Sequence, residues 1–76
     1  MTFRQAIYDS ILRPMYVRVY NHIEEMENVS RQSLKLEHKK DIINTLSDII
    51  VIKEKYGINY ADDLTLLSKY LSLIHI

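Results

Sequence analysis

The stretch that most constrains this chain is Asp41 to Gly57, DIINTLSDIIVIKEKYG, a strongly apolar run closed by the only glycine in the sequence. Ile42, Ile43, Leu46, Ile49 and Ile50 fall at i, i+1, i+4, i+7 and i+8, which places them on one face of a 3.6-residue helix. Val51 and Ile52 widen the apolar arc beyond what a surface helix needs, so the segment is expected to be the central helix, touched from more than one side. Gly57 can adopt the left-handed backbone conformation that ends a helix, with Ile58 folding back on Ile52 or Lys53 in a Schellman-type cap.

A chain of 76 residues holds one domain at most. A domain of that size buries only about 60% of the surface its unfolded chain exposes, so its stability is marginal and contacts with a partner would help it. Hydrophobic residues at 47% and charged residues at 26% give a globular composition, not a disordered one. Ten basic residues balance ten acidic ones, so there is no strong nucleic-acid signal. The absence of cysteine excludes disulfides and thiolate metal sites. No apolar run is long enough for a membrane span, and MTFRQAIYDS lacks a secretory pattern, so a cytoplasmic protein without membrane contact is expected.

Thr2 and Gln5 have the spacing of a capping box, which predicts a first helix from Phe3 to about Arg13. Pro14 interrupts the stripe of Phe3, Ile7, Ile11, Met15, Val19 and Ile23, predicting a kink or short break near Arg13 and a second segment from Pro14 to about Glu27. MYVRVY and Ile49 to Ile52 are rich in β-branched or aromatic residues. Both lie inside longer helical patterns without a hairpin turn beside them, and are read as helix. NVSRQS, Asn28 to Ser33, is the expected connection, with Ser33 a candidate N-cap and the central helix running from roughly Leu36 to Tyr56. Asn59 is placed to cap a last helix from Tyr60 onward, with Asp62 and Asp63 suited to the dipole of its first turn. Its apolar stripe is expected at Tyr60, Leu64, Leu67, Leu71 and Ile74.

The last six residues, LSLIHI, are what results from translating CTG TCT CTT ATA CAC ATC, and so resemble the mosaic-end adapter of transposase-based sequencing libraries. In one common adapter the next codon is a stop. Residues 71–76 are therefore expected to be adapter translation, and residues 1–70 a single small helical domain, or the N-terminal part of one, from a microbial or phage source. Truncation of that kind would leave the central helix under-covered.

Tyr60 to Asp63, YADD, followed by Leu64, Thr65, Leu66 and Leu67, resembles the catalytic box of reverse transcriptases. The resemblance implies Asp62 and Asp63 as metal ligands on a β-hairpin, holding Mg²⁺ for nucleotidyl transfer. The family's other palm motifs, including a third aspartate, are not found in Met1 to Asn59, and a helix start accounts for the same residues. His22 with Glu24, Glu25 and Glu27, and Glu37 with His38 and Asp41, are read as two solvated faces, because the Glu-x-x-His pairs of helical di-iron sites are missing. Asp48 to Tyr70, with DIIVIKEKYGI and then LLSKY, resembles the helix, glycine turn and helix of small phage late-transcription coactivators.

Six tyrosines are many for this length, and Tyr16 and Tyr20 stand at i and i+4 with Arg13 and Arg18 nearby. Tyrosine and arginine are common interface anchors, so these four residues are the expected interaction surface. The sequence thus predicts an all-α fold, a small bundle of three to four helices that is C-terminally truncated. The expected role is a non-enzymatic interaction or regulatory module without a cofactor, associating with a protein partner or as a homo-oligomer. A fragment of a reverse-transcriptase-like enzyme and a transcription-coactivator-like protein are the alternatives.

Overall fold

A computed structural model describes residues 2–74, the side chains of 73 and 74 excepted. The first helical arm comprises α1 (Phe3–Ile7), a π-helical segment (Tyr8–Leu12) and α2 (Arg13–Asn28). It is followed by α3 (Gln32–Lys55) and α4 (Ala61–Ile74), and there is no strand among the described residues. The fold is all-α, and both β-rich runs are helical. No described helix is long and apolar enough to cross a membrane.

The first arm starts at the expected capping box. Gln5 N–H donates to Thr2 Oγ1 at 3.2 Å, and Thr2 N–H donates to Gln5 Oε1 at 3.2 Å. At Pro14 the chain does not break. Instead the helix widens by one residue per turn just before it, and Arg13 N–H reaches back to the Tyr8 carbonyl. Proline has no N–H to give and its ring crowds the carbonyl four residues earlier. A π-turn opens the space that a regular α-turn would deny it. The helix then resumes with Pro14 in the first turn of α2.

The central helix begins earlier than Leu36. Arg31 is its N-cap and makes no side-chain cap bond, and Ser33 lies inside the first turn instead of capping it. At the other end the Schellman arrangement forms. Ile58 N–H donates to the Lys53 carbonyl at 2.8 Å, Gly57 N–H to the Glu54 carbonyl at 3.3 Å, and Gly57 sits at φ 69°. Ile58 is buried, so the cap also folds its side chain into the core. Asn59 Oδ1 then accepts from Ala61 N–H at 2.9 Å, which starts α4.

With 24 residues, α3 is about 36 Å long and runs along most of the 43 Å length of the molecule. It packs against both α2 and α4. Leu12, Val19, Ile42, Leu46 and Ile49 have no exposed surface, and Ile7, Ile58 and Tyr70 complete the core. Burial of an aliphatic side chain of this kind stabilises by about 1.5–3 kcal/mol before ordering costs, so the line Ile42, Leu46, Ile49 is the main anchor of the fold. Val51 differs from expectation, since it is 63% exposed; helices on two sides of α3 leave its third side to solvent.

The stripe of α4 is also rotated from the expected one. Leu64 and Leu71 are exposed, whereas Asp63 and Tyr70 are buried and Leu66 and Leu67 pack on the core. The side chain of Ile74 and the whole of residues 75 and 76, which include the end of the adapter-like string, lie outside the described residues. Asp63 turns inward because a cation waits for it on α3.

Candidate functional site

That cation is Lys53, on the last turn of α3. Lys53 and Asp63 are 4% and 5% exposed, and Lys53 Nζ donates to Asp63 Oδ2 at 2.6 Å. The Schellman turn at Gly57 reverses the chain so that the end of one helix and the beginning of the next bring these residues together. The second carboxylate oxygen, Oδ1, accepts from the Tyr16 hydroxyl at 2.6 Å, which ties α2 to α4 as well. The ammonium lies 5.2 Å from the Tyr16 ring centroid and 5.5 Å from that of Tyr8, so two aromatic rings flank it. Among the described residues no buried side-chain nitrogen or oxygen lacks a partner.

The electrostatics follow from this enclosure. Burial pushes the Tyr16 phenol up, and its hydrogen bond to Asp63 pushes it further, to about 12 despite the opposing effect of Lys53. Burial pulls Lys53 down, but the carboxylate of Asp63 and the phenols of Tyr16 and Tyr8 outweigh that and hold it above the ordinary lysine range. Lysine is therefore charged and tyrosine neutral across the whole physiological range. Neither is poised to give or take a proton near neutral pH, as a general acid or base would be.

Over this buried knot lies an open cleft of about 480 Å³, lined by Tyr8, Arg13, Tyr16, Tyr20, Lys53, Asp62, Asp63 and Leu66. Tyr16 and Tyr20 stack at 6.5 Å between ring centroids, as their i, i+4 spacing allows, and Tyr20 is 62% exposed. Arg13 reaches Asp9 Oδ1 at 3.0 Å, which places its guanidinium on the rim in water. The cleft thus has an aromatic wall, a neutralised floor, and a rim carrying one charge of each sign in Arg13 and Asp62.

Of the four residues expected at an interaction surface, Arg13, Tyr16 and Tyr20 converge here. Arg18 does not. It is exposed and two positions from both tyrosines, which turns it to the far side of α2. Asp62 and Asp63 join the tyrosines, but on the first turn of α4 and not on a β-hairpin. Asp63 already uses both oxygens, on Lys53 and Tyr16. Tyr8, Lys53 and Leu66 were missed as lining residues; the inward turn of Asp63 is not visible in a pattern that assigns charged residues outward.

The two acidic and histidine segments, read separately as solvated faces, meet across the α2–α3 hairpin. His22 Nδ1 lies 3.1 Å from His38 Nδ1, the ring centroids being 5.3 Å apart. Glu25 Oε2 is 3.7 Å from His38 Nδ1, and Asp41 Oδ2 is 3.9 Å from His22 Nε2. The signal that could have found this meeting is simple. His22 and His38 stand equally far on either side of Ser30, the middle of the predicted connection, and such residues face each other in an antiparallel pair.

No family model, no curated protein and no solved structure matches the chain.

Proposed function

We propose that this chain is a non-enzymatic protein-interaction module whose binding surface is the tyrosine cleft between the first arm and α4. One observation carries the reading: three tyrosines and an arginine meet in an open cleft whose buried charges are already paired. Exposed tyrosines give large contact area at small entropic cost, and the Tyr16 and Tyr20 rings stack on each other within the chain itself. The partner that fits is a polypeptide segment with an aromatic or aliphatic side chain to lie against Tyr8, Tyr20 and Leu66. Flanking charges would pair with Arg13 and Asp62.

Nucleotidyl transfer has less in its favour, since YADD opens a helix and Asp63 has no free oxygen to offer Mg²⁺ without giving up Lys53 or Tyr16. A transcription-coactivator role would be one form of the interaction reading, with a transcription protein as the partner.

A peptide-display selection on the full-length chain tests the proposal. The expected result is a set of enriched peptides sharing an aromatic or aliphatic anchor, whose binding falls at least about tenfold on Tyr20→Ala and on Leu66→Ala. Absence of enrichment, or binders indifferent to both substitutions, would overturn it. In the same preparation, Mg²⁺-dependent primer extension that disappears in Asp62→Asn would establish the enzyme reading instead.

A further inference from the structure

We infer that His22, Glu25 and His38 form a binding site for a divalent transition metal of the zinc class, clamping α2 to α3 at the hairpin end of the molecule. The three side chains each offer a ligand atom, and these atoms all lie within 4.8 Å of one another. Two nitrogens bound at 2.0–2.1 Å by a tetrahedral ion stand about 3.3 Å apart. His22 Nδ1 and His38 Nδ1 stand 3.1 Å apart, close to that separation.

Glu25 supplies the third ligand. It lies at i+3 from His22 on the same face of α2, and its side chain is 61% exposed, so its carboxylate can swing the short distance from 3.7 Å to coordination without disturbing the core. The donor set of two imidazoles and one carboxylate suits zinc and its neighbours better than magnesium or calcium, which take oxygen ligands throughout. Three protein ligands leave a fourth position for water or for a group on a partner.

Asp41 supports the assignment from outside the ligand set. Its carboxylate lies on the Nε2 side of His22 at 3.9 Å, where it can accept that N–H and leave Nδ1 to bind the ion. Metal-binding histidines are commonly held by a carboxylate in this way. The two rings are 23% and 18% exposed, open enough for an ion to enter and enclosed enough to hold the rings in place. The alternative is a plain hydrogen bond between the two imidazoles with Glu25 and Asp41 as exposed carboxylates beside it, and metal titration separates the two.

The test uses the full chain after treatment with a chelator. Cobalt(II), added stepwise, should give a visible absorption band of low-coordinate geometry that saturates at one equivalent and is displaced by zinc. Saturating zinc should raise the thermal midpoint by at least about 5 °C, since an ion that binds only the folded form adds to stability by mass action. His22→Gln and His38→Gln should each abolish the band, and Asp41→Asn should weaken binding about tenfold or more. Glu25→Gln, at an exposed position, should weaken the band while leaving the helical circular dichroism unchanged. Failure of the wild-type chain to give a saturable band would overturn the site, and so would a band that survives both histidine substitutions.

Discussion

Among the described residues two polar clusters join helices, one in the N-terminal half of α3 and one at its C-terminal end, and they are built on opposite terms. At the α3–α4 turn, Lys53 and Asp63 are buried with half-buried Tyr16 beside them, their charges are paired, and the distances are 2.6 Å. At the α2–α3 turn, His22, His38, Glu25 and Asp41 are half open to water, and their carboxylate contacts are 3.7 and 3.9 Å. Enclosure makes the first cluster a fastener that the fold cannot easily lose. Openness should make the second contribute far less to the stability of the fold. A buried ion pair is not necessarily more stable than apolar side chains in its place, but removing one partner strands the other charge away from water.

Removal of that partner should give the largest effect. Asp63→Ala leaves the Lys53 ammonium buried without its carboxylate and Tyr16 without its acceptor, and should cost about 3–5 kcal/mol in a urea titration followed by circular dichroism. In a chain of 76 residues a loss of that size consumes most of the available stability, so the urea midpoint of the variant should fall to a small fraction of the native one. A loss below about 1 kcal/mol would make the pair no better than a surface salt bridge.

Tyr16→Phe is the second test and adds a pH dependence. It removes a hydrogen bond to a charged group, worth about 1.5–3 kcal/mol. The Tyr16 phenol is raised from 10.0 to about 12 in the fold, so the stability it contributes as the neutral form is complete below pH 10 and is lost as the pH climbs through about 12. Lys53, also raised, contributes stability of the same sign, lost above its ordinary value of 10.5. The native chain should therefore unfold in alkali, and Tyr16→Phe should show a shallower decline between pH 10 and 12 from a lower starting point. Titrating unfolding against pH for both proteins checks the slope as well as the offset.

Gly57→Ala should come next. Gly57 is in the left-handed region at φ 69°, and a Cβ there meets nothing within 4 Å. The cost is therefore conformational, about 1–2 kcal/mol, and not steric. His22→Gln without metal should have the smallest effect, under about 1 kcal/mol, because it exchanges one half-exposed polar group for another. Should His22→Gln prove as costly as Asp63→Ala under these conditions, the contrast between the two clusters would fail.

The parts of this fold that depend on local chemistry were readable from the chain itself. The Thr2–Gln5 capping box, the Schellman turn at Gly57 and the Asn59 cap each need only a few neighbouring residues, and each formed as expected. Pro14 announced a disturbance but not its kind, because a break, a kink and a π-turn all relieve the same clash. The inward face of α4 was hidden for a different reason. Leucines at Leu64 and Leu71 outline one stripe by hydrophobicity, whereas the pull of Lys53 on Asp63 selects another, with Tyr70 beside it. Side-chain pairing across a turn has no period to detect. The cleft was half legible: Arg13, Tyr16 and Tyr20 could be chosen by residue type, but Tyr8, Leu66 and the neutralised floor depend on how α4 lies over the first arm.

The most direct test of the fastener is a double-mutant cycle on its two charges, measured as unfolding free energy at neutral pH. Lys53→Met and Asp63→Leu, singly, should each destabilise by about 3–5 kcal/mol, while the double variant should return to within roughly 2–3 kcal/mol of the native chain, since no charge is then left buried and only the Tyr16 hydrogen bond is lost. Single losses that simply add in the double variant would mean that Lys53 and Asp63 act independently, and would contradict the account of the pair as one unit holding α4 to α3.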